Sequence, residues 1–236
     1  AGMNFTLHYR ALRGDFEPIS KDDELRTYAG IVLAAIALVS VDLLAHSHYN
    51  LWNTLRHSSF QVVSVITTTG FTTVDYDIWP PLSRAILLIL MFVGGSGGST
   101  GGAIKVVRMN VLAKHSIREL KRAVYPRRVT VIRLNGKAVP EEVSSAVLAF
   151  VILYLSVFLL SMLALSAMGL DFMSAVGAVA ATLGNIGPGF GLVGPTCNYS
   201  AVPTIGKWLL SFCMLVGRLE VYTVLSLLVP GFWRKP

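Results

Sequence analysis

Charged residues are scarce in this sequence of 236 residues. Asp, Glu, Lys and Arg make up 14% of the chain and apolar residues 53%, whereas a soluble domain carries about 25% charged residues. The mean hydropathy is +0.62. This balance excludes an ordinary soluble domain and indicates a membrane protein.

Cysteine is also scarce, because Cys197 and Cys213 are the two in the chain. Two cysteines at this spacing exclude a disulfide framework and a cysteine-rich metal site. The first 26 residues are mixed in charge and lack the pattern of a secretory signal.

The net charge of +7 is concentrated in a few stretches. Of the 20 Lys and Arg residues, ten lie within residues 105–137 and four within residues 10–26. Basic loops beside apolar segments argue against a nucleic-acid partner. The positive-inside rule instead predicts a cytoplasmic N-terminal segment, middle loop and C-terminus.

Apolar segments of two lengths alternate along the chain. Three are candidate spans, at residues 28–44, 146–168 and 205–228. Two others, residues 60–66 and 172–183, are too short for a hydrocarbon core that takes about 20 residues, and each leads into a turn containing glycine. A short helix that turns back inside the bilayer exposes carbonyls, which are tolerated there only in a cavity. Such carbonyls attract cations, so the pattern predicts re-entrant pore helices.

A fourth apolar stretch, residues 82–93, leads into a segment with six glycines in nine residues. Each glycine costs a helix about 1 kcal/mol relative to Ala, so we expect the helix to break at residues 94–102 and to resume from Ala103. Twelve residues cover about 18 Å, which places the break near mid-membrane. Close helix packing and a phosphate-binding loop are the alternatives. The Gly-Lys-Ser/Thr of a nucleotide-binding loop is missing.

The middle loop has a structure of its own. Residues 110–125 are compatible with a helix that Pro126 ends. Residues 129–139 surround Asn135-Gly136, a strong signal for a two-residue turn, and predict a small cytoplasmic β-hairpin.

An internal repeat relates the two halves of the chain. Gly70 and Gly187 align at an offset of 117 residues, and the inner helices align at an offset of 123. We therefore predict an all-α polytopic membrane protein with two repeats of span, re-entrant pore helix and span, as in potassium-channel-like pores, plus the hairpin. Two such units make half of a fourfold ring of carbonyls.

Several motifs resemble the Trk/Ktr/HKT superfamily of potassium transporters, and its Trk-type membrane subunits in particular. They are residues 67–71 (TTTGF), 94–102 (GGSGGSTGG), 118–122 (RELKR), 184–189 (GNIGPG), 216–220 (VGRLE) and 232–234 (FWR). Together they cover nearly the whole chain, and their combination is specific although each alone is weak.

The resemblance implies that the chain is the C-terminal half of a longer polypeptide with four repeats around one pore. Residues 28–114 and 143–236 would then be the third and fourth repeats, residues 1–27 the end of a preceding repeat with a linker, and residues 115–142 the basic loop with the hairpin. The family also implies a homodimer in the bacterial inner membrane, in contact with lipid. A cytoplasmic regulatory subunit with nucleotide-binding domains would contact the face formed by residues 105–142.

The predicted K⁺ selectivity filter consists of the two turns. Its residues are Thr67, Thr68, Thr69, Gly70, Phe71, Gly184, Asn185, Ile186, Gly187 and Pro188. We expect the backbone carbonyls of Thr68, Thr69, Asn185 and Ile186 to bind K⁺ in place of water. A glycine cap that simply ends each helix is the alternative. K⁺ would be the transported ion, with no covalently bound cofactor.

The predicted gate is the glycine-rich segment together with one arginine. Its residues are Gly94, Gly95, Ser96, Gly97, Gly98, Ser99, Thr100, Gly101, Gly102 and Arg218. Arg218 lies in an apolar context and aligns with Gly95, so we expect a fixed cation at the level of the segment that can donate hydrogen bonds to its carbonyls. A snorkelling arginine, or one neutralised by Glu220, is the alternative.

Three other functions are open at this point. A Na⁺-permeable transporter, or one that couples K⁺ to Na⁺ or H⁺ as a symporter, belongs to the same superfamily. A non-conducting scaffold subunit would not need turns of this kind. A membrane enzyme that binds phosphate at the glycines lacks an accompanying base, nucleophile or metal cluster, so no enzymatic activity is predicted.

Overall fold

The computed structural model describes residues 2–47, 49–125, 131–228 and 233. In these residues the chain is mostly helical. The helices are α1 (Phe5–Leu12), α2 (Glu17–Ser20), α3 (Asp23–His46), α4 (Leu51–Ile66), α5 (Pro81–Phe92), α6 (Val106–Val124), α7 (Glu141–Ala167), α8 (Phe172–Leu183), α9 (Thr204–Leu219) and α10 (Val221–Leu228). Strands β1 (Arg133–Leu134) and β2 (Lys137–Ala138) lie between α6 and α7, and two 3-10 turns, Gly191–Val193 and Tyr199–Ala201, lie between α8 and α9.

Helices α3 and α7, of 24 and 27 residues, are long and apolar enough to cross a membrane. They contain the first predicted span and all but the last residue of the second. Helices α5 and α8 are apolar but shorter, with 12 residues each. The structure therefore contains both lengths of apolar helix that the sequence predicts.

The last predicted span, residues 205–228, is wrong as a single helix. Helices α9 and α10 meet at Glu220 with a bend of 118°. Glu220 has a φ of +67°, outside the helical region. Its carboxylate pairs with Lys105 at 3.3 Å and Arg108 at 2.8 Å. These long-range ion pairs occur at the break in the helix, and local sequence patterns do not predict them.

Helix α4 begins earlier than predicted, at Leu51 instead of Phe60. Asn50 caps it by accepting a hydrogen bond from the Asn53 N–H at 2.8 Å. Its first turns bury polar side chains, including Ser58, whose hydroxyl lies 2.7 Å from that of Ser40 on α3. Because the buried face is polar, apolar periodicity missed this part of the helix.

Asp42 on α3 determines where α5 begins. It is buried, and its Oδ2 accepts hydrogen bonds from the Ser83 N–H at 2.8 Å and the Ser83 hydroxyl at 2.6 Å. Ser83 lies in the first turn of α5, where backbone N–H groups lack helical partners. The carboxylate therefore caps α5 from a neighbouring helix.

The predicted break after α5 is present, but helix resumes at Val106 instead of Ala103. Helix α6 then continues without interruption to Val124, so the predicted helix at residues 110–125 is part of it. The hairpin is shorter than predicted, and Asn135 and Gly136 have φ of +48° and +77°, as a type I′ turn requires. Residues 126, 129 and 130 lie outside the described residues.

Helix α8 spans residues 172–183, as predicted, and lies deepest in the molecule. Asp171 caps it by accepting from the Ser174 N–H at 3.1 Å. Its small side chains admit close neighbours: a Cβ on Gly177 would lie 2.5 Å from the Phe190 nitrogen. Aromatic contacts join the two halves of the chain around it, such as Phe92 with Phe158, whose ring centroids are 4.9 Å apart.

Candidate functional site

The turns after α4 and α8 have one hydrogen-bond pattern. After α4, the N–H groups of Thr69 and Gly70 both donate to the Ser64 carbonyl, at 3.0 and 3.3 Å. After α8, the equivalent N–H groups of residues 186 and 187 both donate to the residue 181 carbonyl, at 2.8 and 3.4 Å. Every donor and acceptor in one turn is 117 residues from its counterpart in the other. The offset predicted from the sequence is therefore also the offset of the backbone geometry.

The same pairs of residues adopt left-handed backbone conformations. Thr68 and Asn185 have φ of +53° and +57°, and Gly70 and Gly187 have φ of +75° and +112°. Asn tolerates this region, whereas a β-branched Thr is strained there. Such a conformation at a site of proposed ion contact is typical of backbone held for function.

Eight carbonyls in the two turns, residues 67–71 and 184–188, accept no hydrogen bond from the part of the chain that the structure describes. They belong to Thr67, Thr68, Thr69, Gly70, Gly184, Asn185, Ile186 and Pro188. The four groups predicted to bind K⁺, those of Thr68, Thr69, Asn185 and Ile186, are among them. Helices α4 and α8 both end at these turns, so the negative ends of their dipoles lie there.

Hydroxyl groups occupy the neighbouring carbonyls. Ser64 donates to the Phe71 carbonyl at 2.6 Å, and Tyr199 donates to the Gly187 carbonyl at 2.6 Å. Tyr76, which is fully buried, donates to the Gly189 carbonyl at 2.9 Å. Burial raises the pKa of Tyr199 to about 12. Three carbonyls in and beside the turns, those of Phe71, Gly187 and Gly189, are thus held by hydroxyl groups.

The two turns and the glycine-rich segment, residues 94–102, are in direct contact. A Cβ on Gly70 would lie 1.9 Å from the Ile186 oxygen, and one on Gly102 would lie 2.5 Å from the Gly184 oxygen. The Gly102 N–H also donates to the Thr68 hydroxyl at 3.1 Å. Any side chain at either glycine would therefore displace one of the turns.

Backbone hydrogen bonds close the base of the glycine-rich segment. Gly94 N–H donates to the Ile104 carbonyl at 2.9 Å, and Ile104 N–H donates to the Phe92 carbonyl at 3.1 Å. The tip of the resulting loop is exposed at Gly98 and Thr100. The segment is thus anchored at its base, and the N-terminal residues hold it nearer the tip, where the Phe5 N–H donates to the Gly98 carbonyl at 3.3 Å.

Arg218 and Glu24 bind the segment from two sides. The Arg218 guanidinium donates to the Thr100 carbonyl, so the expected hydrogen bond to a carbonyl of this segment is present. Glu24 Oε1 accepts from the Gly97 N–H at 2.6 Å. Glu220 does not neutralise Arg218, because it pairs with the basic residues that follow the segment. A polar cavity of about 240 Å³ lies between the segment, α7 and the end of α9.

Sequence reasoning placed the turns and the segment but missed the side chains that hold them. Glu24 lies in what was predicted to be a linker, although it directly precedes the first apolar span. Tyr76 and Tyr199 lie 113 and 12 residues from the carbonyls they bind, and no motif points to them. Among the described residues, no group of three or more His, Cys, Asp and Glu side chains is arranged to hold a metal ion.

Known proteins are similar to this chain in sequence and in fold. The family profile described as TrkH, cation transport protein, matches residues 31–233. The Trk system potassium uptake proteins TrkH of Salmonella typhimurium and Escherichia coli are 42% and 41% identical over the whole chain, which covers 49% of each. The crystal structure of the potassium transporter TrkH from Vibrio parahaemolyticus superimposes with a TM-score of 0.90 at 42% identity, over 98% of this chain and 50% of that one.

The chain thus spans about half the length of the relatives it matches, in the manner of the predicted C-terminal half of a Trk transporter. Its long apolar helices and these relatives make it an integral membrane protein. The family profile covers far more than half of the chain. This chain therefore belongs to the TrkH family of cation transport proteins.

Proposed function

We propose that the full-length protein takes up K⁺ through a central pore whose selectivity filter includes the turns at residues 67–71 and 184–188. The observation that carries the proposal is one hydrogen-bond pattern shared by the two turns, together with their unoccupied carbonyls, which include those of Thr68, Thr69, Asn185 and Ile186. Relatives named as potassium uptake proteins support K⁺ as the ion.

Physical chemistry favours cation binding at these turns. K⁺ gives up hydrating water only where oxygen dipoles replace it. The free carbonyls supply such dipoles, and the negative ends of α4 and α8 add to the potential. The chain covers about half of its relatives, so its two turns supply two of four positions around the pore, and the rest of the polypeptide supplies the others.

The glycine-rich segment and Arg218 are proposed as the gate. The segment touches both turns through Gly102, and Arg218 holds its tip through the Thr100 carbonyl. A cation beside the ion path raises the energy of a passing K⁺. Withdrawal of the segment would open the path, with Arg218 adding to the barrier while the segment is in place.

The two repeats, residues 28–114 and 143–236, form the pore-lining units in this proposal, and residues 115–142 form a cytoplasmic loop. The basic stretches set the orientation, with the N-terminal segment, middle loop and C-terminus in the cytoplasm of a bacterial inner membrane. A nucleotide-binding regulatory subunit docks on the face of residues 105–142, and the full-length protein is a homodimer.

The second candidate is a transporter that admits Na⁺ or couples K⁺ entry to Na⁺ or H⁺. It rests on the turns themselves, because each has a single glycine aligned between the repeats and so resembles a reduced potassium-channel filter. The phosphate-binding alternative is weaker, since Lys105, the lysine nearest the glycines, is paired with Glu220 at 3.3 Å.

Ion flux in liposomes tests the proposal. The full-length protein is reconstituted, and uptake of K⁺ and Na⁺ is measured with and without an imposed Na⁺ or pH gradient. Saturable K⁺ uptake that is independent of both gradients supports the pore. Uptake that needs either gradient supports the coupled transporter, and absence of uptake by correctly folded protein refutes both.

A further inference from the structure

Glu24 makes a contact that the filter and the gate do not account for. It lies in the first turn of α3 and is 8% exposed. Its Oε1 accepts hydrogen bonds from the Gly97 N–H at 2.6 Å and from the Val107 N–H at 3.0 Å. One carboxylate oxygen therefore joins α3 to the glycine-rich segment and to the first turn of α6.

The chemistry of this contact makes it a strong restraint. Val107 is the second residue of α6, where backbone N–H groups lack helical partners and the dipole is positive. Hydrogen bonds to an ionised acceptor are about twice as strong as neutral ones. The other side-chain oxygens that accept from N–H groups of the segment, those of Thr68 and Ser99, are neutral hydroxyls.

The residues just before Glu24 are bound to the cytoplasmic hairpin. Asn135, in the hairpin turn, accepts from the Asp23 N–H at 2.7 Å and donates from its side chain to Asp22 at 2.9 Å. Its own N–H donates to Asp23 at 3.2 Å. Lys114 of α6 reaches Asp23 as well, at 3.1 Å. The hairpin turn and the glycine-rich segment are thus attached to the same three residues, 22–24.

We propose that residues 22–24 form a latch, in which Glu24 positions the glycine-rich segment and Asn135 couples the latch to the cytoplasmic hairpin. Movement of the hairpin pulls on the first turn of α3 and so alters the hold of Glu24 on Gly97. A partner that binds the hairpin then changes the position of the segment without touching it. The effect on ion flux rests on the proposed gate, but the effect on the segment does not.

A thiol probe in the segment separates these two claims. In full-length protein from which every native cysteine, including Cys197 and Cys213, has been replaced by Ser, the half-buried Ser99 is replaced by Cys, and its rate of modification by a charged methanethiosulfonate is measured. K⁺ flux is measured on the same preparations. The variants are Glu24→Ala, Glu24→Gln, Asn135→Gly and the double variant Glu24→Ala with Asn135→Gly. Glycine is used at residue 135 because its φ is positive.

Two matched controls remove charge without touching the latch. Glu142→Ala removes an exposed carboxylate at the start of α7, and Lys137→Ala alters the same hairpin. Both should leave the modification rate unchanged. We expect an increase of about tenfold in Glu24→Ala, the equilibrium equivalent of about 1.4 kcal/mol, and a smaller increase in Glu24→Gln, which keeps a neutral acceptor.

Asn135→Gly should raise the rate by a few-fold, and the double variant should not exceed Glu24→Ala, because both changes act through one contact. Rates in folded Glu24→Ala and Glu24→Gln that equal the parent overturn the latch. Multiplied effects in the double variant overturn the coupling to the hairpin. Faster modification with unchanged K⁺ flux keeps the latch and refutes the segment as the gate.

Discussion

Replacing the glycine in each of the two turns should change the K⁺/Na⁺ uptake ratio by different amounts, and the geometry predicts which change is larger. Gly70 and Gly187 both have positive φ, so any side chain costs about 1–2 kcal/mol of backbone strain. At Gly187 no atom of the residues that the structure describes lies within 4 Å of an added Cβ. At Gly70 the Cβ would lie 1.9 Å from the Ile186 oxygen, and contacts under 3.0 Å do not persist, so that carbonyl must move by about 1 Å.

We therefore expect Gly187→Ser to lower the K⁺/Na⁺ uptake ratio, by about 5- to 30-fold where the strain is expressed wholly in ion selectivity. Gly70→Ser should lower it further, because it displaces a proposed K⁺ ligand as well. The assay is K⁺ and Na⁺ uptake by full-length protein in liposomes, normalised to folded protein.

Gly136→Ser is the matched control. Gly136 has a φ of +77° and open space around it, but it lies in the hairpin. It should lower stability and leave the ion ratio unchanged. The reasoning is refuted if both filter variants keep the parental ratio, or if Gly187→Ser is the more severe.

Three further predictions concern the gate and the support of the filter. Arg218→Gln should conduct faster than the parent by up to about a hundredfold in liposome uptake, because a fixed cation at about 5 Å and a dielectric near 20 adds roughly 3 kcal/mol to the energy of K⁺. Arg218→Lys should keep most of this barrier. A loss of flux in both variants would make Arg218 structural. Deletion of residues 97–99 should raise flux in the absence of a regulatory subunit, because the shortened segment reaches less far; a folded deletion variant with parental flux would contradict the gate. Tyr199→Phe should lower thermal stability by about 1 kcal/mol and change the K⁺/Na⁺ ratio, because the Gly187 carbonyl loses its donor; a changed stability with an unchanged ratio would limit Tyr199 to packing.

The sequence predicted correctly those elements that depend on the backbone preferences of a few adjacent residues. Helix α8 has an acidic cap, small apolar residues and a glycine-rich end, and it spans the predicted residues. The break after α5 follows from consecutive glycines, and the hairpin turn follows from Asn135-Gly136. In each case the backbone preference of a few adjacent residues is enough.

Long-range contacts determined what the sequence did not predict. The bend falls at Glu220 itself, which is neither Gly nor Pro, and the ion partners of Glu220 are more than 100 residues away. Helix α4 starts among polar residues that are buried against α3, so hydrophobic periodicity understated its length. The role of Glu24 depends on amides 73 and 83 residues further along the chain.

The two matching turns of this chain are formed by main-chain hydrogen bonds. Of five aligned residues, TTTGF and GNIGP share only the glycine, yet their N–H groups reach equivalent carbonyls. Because the backbone pattern does not depend on side-chain identity, the two turns can have different side chains, and those side chains can make different contacts. Thr68 receives the Gly102 N–H, whereas its counterpart Asn185 donates to the Met214 carbonyl on α9. In the proposed pore, nearly symmetric oxygens would face the ion within asymmetric surroundings, so control from one side of the ring would require no loss of symmetry at the ion itself.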